Sequence, residues 1–121
     1  MLMIMDDESA VAAASPAEIE AILERHAELS SALRAAGAWI GSHRLRPSSQ
    51  AARVRRRGGK LFVLDGPFAE SKQALGGLYI IEAASMEQAL EWAKKVPVVE
   101  GSTVEVRAVW GTTESGRWRE S

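Results

Sequence analysis

The stretch 76–93, GGLYIIEAASMEQALEWA, carries side by side the two patterns that decide the fold. Its first part, LYIIEA at 78–83, is almost continuously apolar, which is typical of a strand covered on both faces. Its second part starts with the capping box Ser85-Met86-Glu87-Gln88 and keeps apolar residues at helical spacing up to Pro97. The stretch therefore predicts a strand followed directly by a helix over 86–95.

A similar unit stands at the amino terminus. Residues 1–5 form a short apolar run, and Ser15-Pro16-Ala17-Glu18 is a second capping box with proline at the first helical position. Apolar residues then recur at helical spacing until Gly37, so we expect a helix over 16–36. The segment 6–14 is expected to be a connection.

Further strands are expected at 38–45, which Gly41 interrupts, and at 103–110, where apolar and polar residues alternate. Between them, RVRRR at 53–57 and KLFVL at 60–64 flank Gly58-Gly59, which suits a two-residue hairpin turn. Such a turn places Val54 opposite Val63. The domain is expected to span 1–110, followed by a polar, loosely ordered tail at 111–121.

Strand, helix and strand thus occur twice, over about 2–45 and 78–110. This order predicts an α+β fold, a ferredoxin-like β-α-β-β-α-β sandwich with an inserted β-hairpin. Both helices would cover one face of the sheet. The other face would expose Tyr79, Ile81 and Val109, so we expect a second copy of the chain to cover it in a homodimer.

The composition excludes several kinds of functional site. The chain has 121 residues, a net charge of −1, no cysteine and two histidines, which excludes disulfides, thiol nucleophiles and histidine-rich zinc sites. No apolar run approaches the ~20 residues of a transmembrane helix, and the start MLMIMDDESA lacks the basic region of a signal peptide. We expect a cytoplasmic protein that needs no cofactor or metal and contacts neither nucleic acid nor membrane directly.

Two places could carry chemistry. His26 lies on the apolar stripe of the first helix, where it is either a general acid/base or a core-edge histidine with one hydrogen bond. Asp65 follows an apolar strand and precedes Gly66-Pro67, which holds its carboxylate in a fixed place; Glu70 and Lys72 could add a second carboxylate and a cation. The alternative for this segment is ordinary turn chemistry.

The motifs DGPFAESK at 65–72, GGLYII at 76–81, ALEWA at 89–93 and VEVRAV at 104–109 resemble the YCII-related, DGPF-domain family over residues 1–110. The resemblance implies a dimeric α/β barrel of two ferredoxin-like units, with a pocket between sheet and helices. Most members have no assigned reaction, although muconolactone-isomerase-like enzymes share the fold. Many DGPF members are encoded beside extracytoplasmic-function sigma factors, which implies regulation or ligand sensing instead.

The resemblance also implies site residues. The YCII branch carries a histidine eleven residues before a glycine, here His26 and Gly37, but its aspartate before the proline after the second helix is replaced by Val96. We therefore expect His26 as acid/base with Asp65 as the substitute carboxylate. The expected ligand-binding residues are Phe68, Glu70, Lys72 and Tyr79. The expected function is a homodimer that binds a small organic molecule, with cofactor-independent acid/base chemistry of isomerase, lyase or hydrolase type. The alternative is a non-enzymatic ligand-sensing or regulatory module that works with such a sigma factor.

Overall fold

The computed structural model describes residues 1–66, 72–113 and 118–120. In these ranges the elements are β1 (Leu2–Asp7), α1 (Glu8–Ala13), α2 (Pro16–Ala35), β2 (Trp39–Arg44), a 3-10 turn (Ser48–Gln50), β3 (Ala52–Arg57), β4 (Lys60–Asp65), β5 (Gln73–Ile81), α3 (Met86–Ala93), β6 (Thr103–Val106), β7 (Gly111–Thr113) and β8 (Trp118–Glu120). Within the same ranges, every helix is too short or too polar to cross a membrane.

One antiparallel sheet organises the chain, with the strand order β2-β5-β1-β6. Helix α2 connects the first two of these strands along the chain, and α3 connects the last two. This order confirms the ferredoxin-like α+β fold that the sequence predicts. The hairpin β3–β4 is inserted between β2 and β5 and forms a separate sheet, in which Val54 pairs with Val63 as expected.

Local sequence signals set the helix ends. The Ser15 hydroxyl accepts a hydrogen bond from the Glu18 amide at 3.1 Å, and the Ser85 hydroxyl accepts one from the Gln88 amide at 3.1 Å. Both predicted helix starts are thereby confirmed. Helix α2 ends before Gly37, whose φ of +69° is a conformation that glycine adopts without strain.

The core lies between the sheet and the two long helices. Its buried members come from β1, α2, β5 and the end of α3: Leu2, Ile4, Leu29, Leu33, Ala38, Tyr79, Ala93 and Val96. Leu2 and Leu33 are fully buried. Strand and helix are therefore joined mainly by apolar contact, the largest favourable contribution to folding.

The segment expected to connect β1 and α2 is more regular than predicted. Strand β1 continues to Asp7, and Asp7 then caps a short helix, α1, by accepting a hydrogen bond from the Ala10 amide at 3.2 Å. The last strand of the main sheet is shorter than predicted and ends at Val106. In the polar tail, β7 and β8 form a second small hairpin, which the composition did not reveal.

Tyr79 faces the helices, and the prediction that it lies on the open face of the sheet was wrong. It pairs with Leu2 on one side and Ser42 on the other, and only 4% of its surface is exposed. Ile81 also packs against the core. The alternation of side chains instead turns Leu78 and Ile80 to the far face, where both are partly exposed.

Candidate functional site

A cavity of about 200 Å³ lies between α2 and the main sheet. Its walls are largely apolar and include Ile4, Val11, Ile19, Ile22, Leu23, Pro97, Val98 and Val99. Its polar lining is Asp6, His26, Ser30, Ser42, His43, Arg44 and Tyr79, together with the backbone of Gly76 and Gly77. Apolar walls with a few polar groups are typical of sites that bind small molecules.

The glycine pair in β5 forms part of the floor of this cavity. Gly77 pairs with Ile4 on one side and Arg44 on the other, and it shares the helix-facing side of β5 with Tyr79. A side chain at Gly77 would meet the His43 carbonyl oxygen at 3.0 Å from its first carbon. Glycine is therefore the residue that fits this row, and its backbone lines the cavity.

His26 and Tyr79 form the central polar contact of the cavity. The Nδ1 atom of His26 lies 2.6 Å from the Tyr79 hydroxyl oxygen, and the two rings stack with centroids 5.8 Å apart. The His26 ring also donates a hydrogen bond to the Pro97 carbonyl, and the Ser30 side chain hydrogen-bonds the Tyr79 hydroxyl. These contacts fix both rings between α2 and β5.

Burial determines the charge of this pair. Burial lowers the pKa of His26 below 6.5, helped by the charge of Arg44 and opposed by the hydrogen bond to Pro97. Burial also raises the pKa of Tyr79 above 10.0, opposed by Ser30. Near neutral pH both groups are therefore uncharged. Because the ring N–H of neutral His26 is directed to Pro97, its Nδ1 atom accepts a hydrogen bond from the Tyr79 hydroxyl.

Asp6 is the carboxylate that lines the cavity. It follows Leu2 and Ile4 on the same side of β1, and its side chain lies over Gly76, where a β-carbon would collide with it. Burial is the main cause that raises the pKa of Asp6; Glu8 raises it further, and Arg44 lowers it. The cavity thus holds a carboxyl group whose neutral form is favoured relative to water.

The structure brings together some of the residues that the sequence singled out. His26 and Tyr79 meet in the cavity, whereas Asp65 lies exposed at the end of β4 and is not among the residues that line it. Lys72 is exposed ahead of β5, also outside the lining. Phe68 and Glu70 lie outside the residues that the structure describes. The pairing of His26 with Asp65 stays a prediction.

Sequence reasoning missed Asp6, Ser30 and Arg44. The signal for Asp6 was present, because alternation along β1 places it on the side of Leu2 and Ile4 once the strand is extended by two residues. Ser30 stands one helical turn after His26 and so shares its face of α2. Over the described ranges, no three acidic or imidazole side chains are grouped as metal ligands.

Comparison with known proteins assigns the chain to a family. The family model of the YCII-related domain matches residues 1–118. An uncharacterized protein of Rhizobium meliloti (strain 1021) is 34% identical over 102 residues, which are 84% of this chain and 82% of that protein. On both findings, the chain belongs to the YCII-related domain family.

Proposed function

We propose that the chain binds a small organic molecule in the cavity and that His26 and Tyr79 move a proton on it, without a cofactor. The observation that carries this proposal is the 2.6 Å hydrogen bond between the two residues in a cavity whose walls are largely apolar. A proton that moves within such a site is shielded from water, which strengthens its interactions with nearby dipoles. The corresponding reaction classes are isomerisation, elimination and hydrolysis.

The proton route follows from the uncharged state of the pair. The Tyr79 oxygen takes a proton from the ligand while its own proton passes to Nδ1 of His26. The reverse movement returns a proton to another atom of the ligand, so the protein is unchanged and no electrons are exchanged. Positioned acid/base groups of this kind contribute about 10²–10⁴-fold to a rate. Asp6 lies in the same cavity as this pair, and the proton route does not pass through it.

We further propose a homodimer. Leu78 and Ile80 on the far face of the sheet are partly exposed, and Ile40 on the neighbouring strand is 51% exposed. In the hairpin, Val54 and Val63 lie opposite each other at 69% and 72% exposure. Exposed apolar surface of this extent is typical of an interface, and a second copy of the chain would cover it.

A non-enzymatic ligand-sensing module is the second candidate. The observation that favours it is that the His26 ring already has two partners, Tyr79 and Pro97, within its own chain. In that case the pair would orient a bound ligand and hold α2 on the sheet, without transferring a proton. The regulatory partner implied by the family resemblance, a sigma factor, would then respond to the ligand.

Deuterium exchange separates the two candidates. A panel of small carbon acids, such as β-keto acids and unsaturated lactones, is incubated with the protein in D₂O and followed by proton NMR. We expect deuterium incorporation into at least one compound, and a decrease of about 10²–10⁴-fold in both His26→Gln and Tyr79→Phe. Compounds that bind without exchange would contradict the enzymatic proposal and support ligand sensing.

Asp65→Asn is the control variant that tests whether His26 acts together with the Asp65 carboxylate. Because Asp65 lies outside the cavity lining, we expect Asp65→Asn to exchange at the rate of the unsubstituted protein. A loss as large as that in His26→Gln would instead establish the pairing of His26 with Asp65.

A further inference from the structure

Arg44 provides the cavity with a positive charge, carried by an exposed side chain. It lines the cavity, and its charge lowers the pKa of both Asp6 and His26, so it acts on the whole site. Among the residues that the structure describes, no carboxylate forms an ion pair with it. An arginine beside apolar walls is well suited to a planar anion, since its guanidinium group binds a carboxylate through two parallel hydrogen bonds.

The strand register places Arg44 beside Gly77 in the lining of the cavity. Arg44 of β2 lies directly across from Gly77 of β5, and Tyr79 follows two residues along the same strand and the same face. At about 3.3 Å per residue, Gly77 and Tyr79 are separated by about 7 Å along β5. A ligand that lies against Gly77 therefore has Arg44 beside it on β2 and Tyr79 beside it on β5.

The cavity volume limits the size of this ligand. About 200 Å³ is somewhat larger than the cavity of roughly 150 Å³ that holds one benzene molecule in another protein, so a compound of about six to ten non-hydrogen atoms fits. From the cation, the apolar walls and this volume, we infer that the ligand is a small organic acid, whose carboxylate binds Arg44 and whose apolar body packs against the apolar walls. The inference rests on the proposed function and names the class of its ligand.

Asp6 leads to a second expectation about the binding of an acid, opposite to that for Arg44. It lies in the same cavity, and Arg44 acts on its pKa, so an ionised Asp6 competes with a bound carboxylate for the same positive charge. Removing the charge of Asp6 should therefore strengthen the binding of an acid, whereas removing that of Arg44 should weaken it. A purely structural role of either side chain would not produce this pair of opposite effects.

Binding of benzoate and of its neutral isostere benzamide tests the inference. The dissociation constants are measured by NMR titration for the unsubstituted protein and for Arg44→Gln, Asp6→Asn and Arg46→Gln. Arg46 is an exposed arginine in the loop after β2, outside the cavity lining, and so provides the matched control. The amide and methyl spectra of each variant verify that it is folded.

We expect benzoate to bind the unsubstituted protein more tightly than benzamide. Arg44→Gln should weaken benzoate at least tenfold and leave benzamide unchanged, Asp6→Asn should strengthen benzoate, and Arg46→Gln should change neither. Equal binding of the two compounds, with no effect of Arg44→Gln, would overturn the inference and leave the proposed function in place. If neither compound binds in the cavity, the inference fails, and the deuterium-exchange panel decides the proposed function separately.

Discussion

Substitution of Tyr79 by Phe tests the contact on which the site depends. The change removes the hydroxyl group that lies 2.6 Å from His26 Nδ1 and leaves the ring in place in the core. A net hydrogen bond contributes about 0.5–1.5 kcal/mol, and a buried acceptor left without a donor costs about 1–3 kcal/mol. We therefore expect the free energy of unfolding to fall by about 1–3 kcal/mol, measured by urea denaturation at one fixed protein concentration.

A double-mutant cycle isolates the pair from other effects. His26→Leu and Tyr79→Phe are measured singly and together, since the second substitution costs less once the first has removed its partner. We expect a coupling free energy of about 1 kcal/mol or more. Effects that add within about 0.3–0.5 kcal/mol would show that the two side chains do not interact, and the reasoning about the proton route would be refuted.

Other substitutions test the core, the charge of His26 and the place of Asp6. Leu33→Ala should lower the free energy of unfolding by about 2–5 kcal/mol in urea denaturation, because a fully buried side chain leaves a cavity behind. Burial lowers the pKa of His26 in the folded state. The stability that neutral His26 contributes is therefore fully present above pH 6.5 and is lost as the pH falls from 6.5 toward the folded pKa. Urea denaturation at several pH values should show a steeper loss in the unsubstituted protein than in His26→Gln; equal slopes would contradict this. Gly76→Ala should displace the Asp6 carboxyl group from its place over β5 and return its pKa toward 3.8, as followed by carbon NMR.

The elements of the fold could be predicted where local signals were complete. Ser15 and Ser85 each begin a helix through a side-chain hydrogen bond, and the Gly58-Gly59 turn fixes the hairpin register. These signals depend on neighbours in the sequence. For the same reason they predicted the order of the elements better than the face of the sheet to which each side chain points.

The face of a strand depends on where its pairing begins, which is why the site was predicted only in part. Tyr79 was assigned to the open face, although its pairing with Leu2 turns it toward α2 and His26. Asp6 was assigned to a connection, although β1 continues through it. Contacts between distant segments, such as that between His26 and Pro97, arise from packing and leave no local pattern in the sequence.

The most direct test of the account is to locate bound ligands by NMR. A panel of small neutral and anionic compounds is titrated into the protein while the imidazole signals of His26 and the methyl signals of Val11 and Ile22 are followed. The account predicts saturable shifts of these signals, because all three residues line the same cavity. Saturable shifts confined to the hairpin β3–β4, with His26 unaffected, would contradict it.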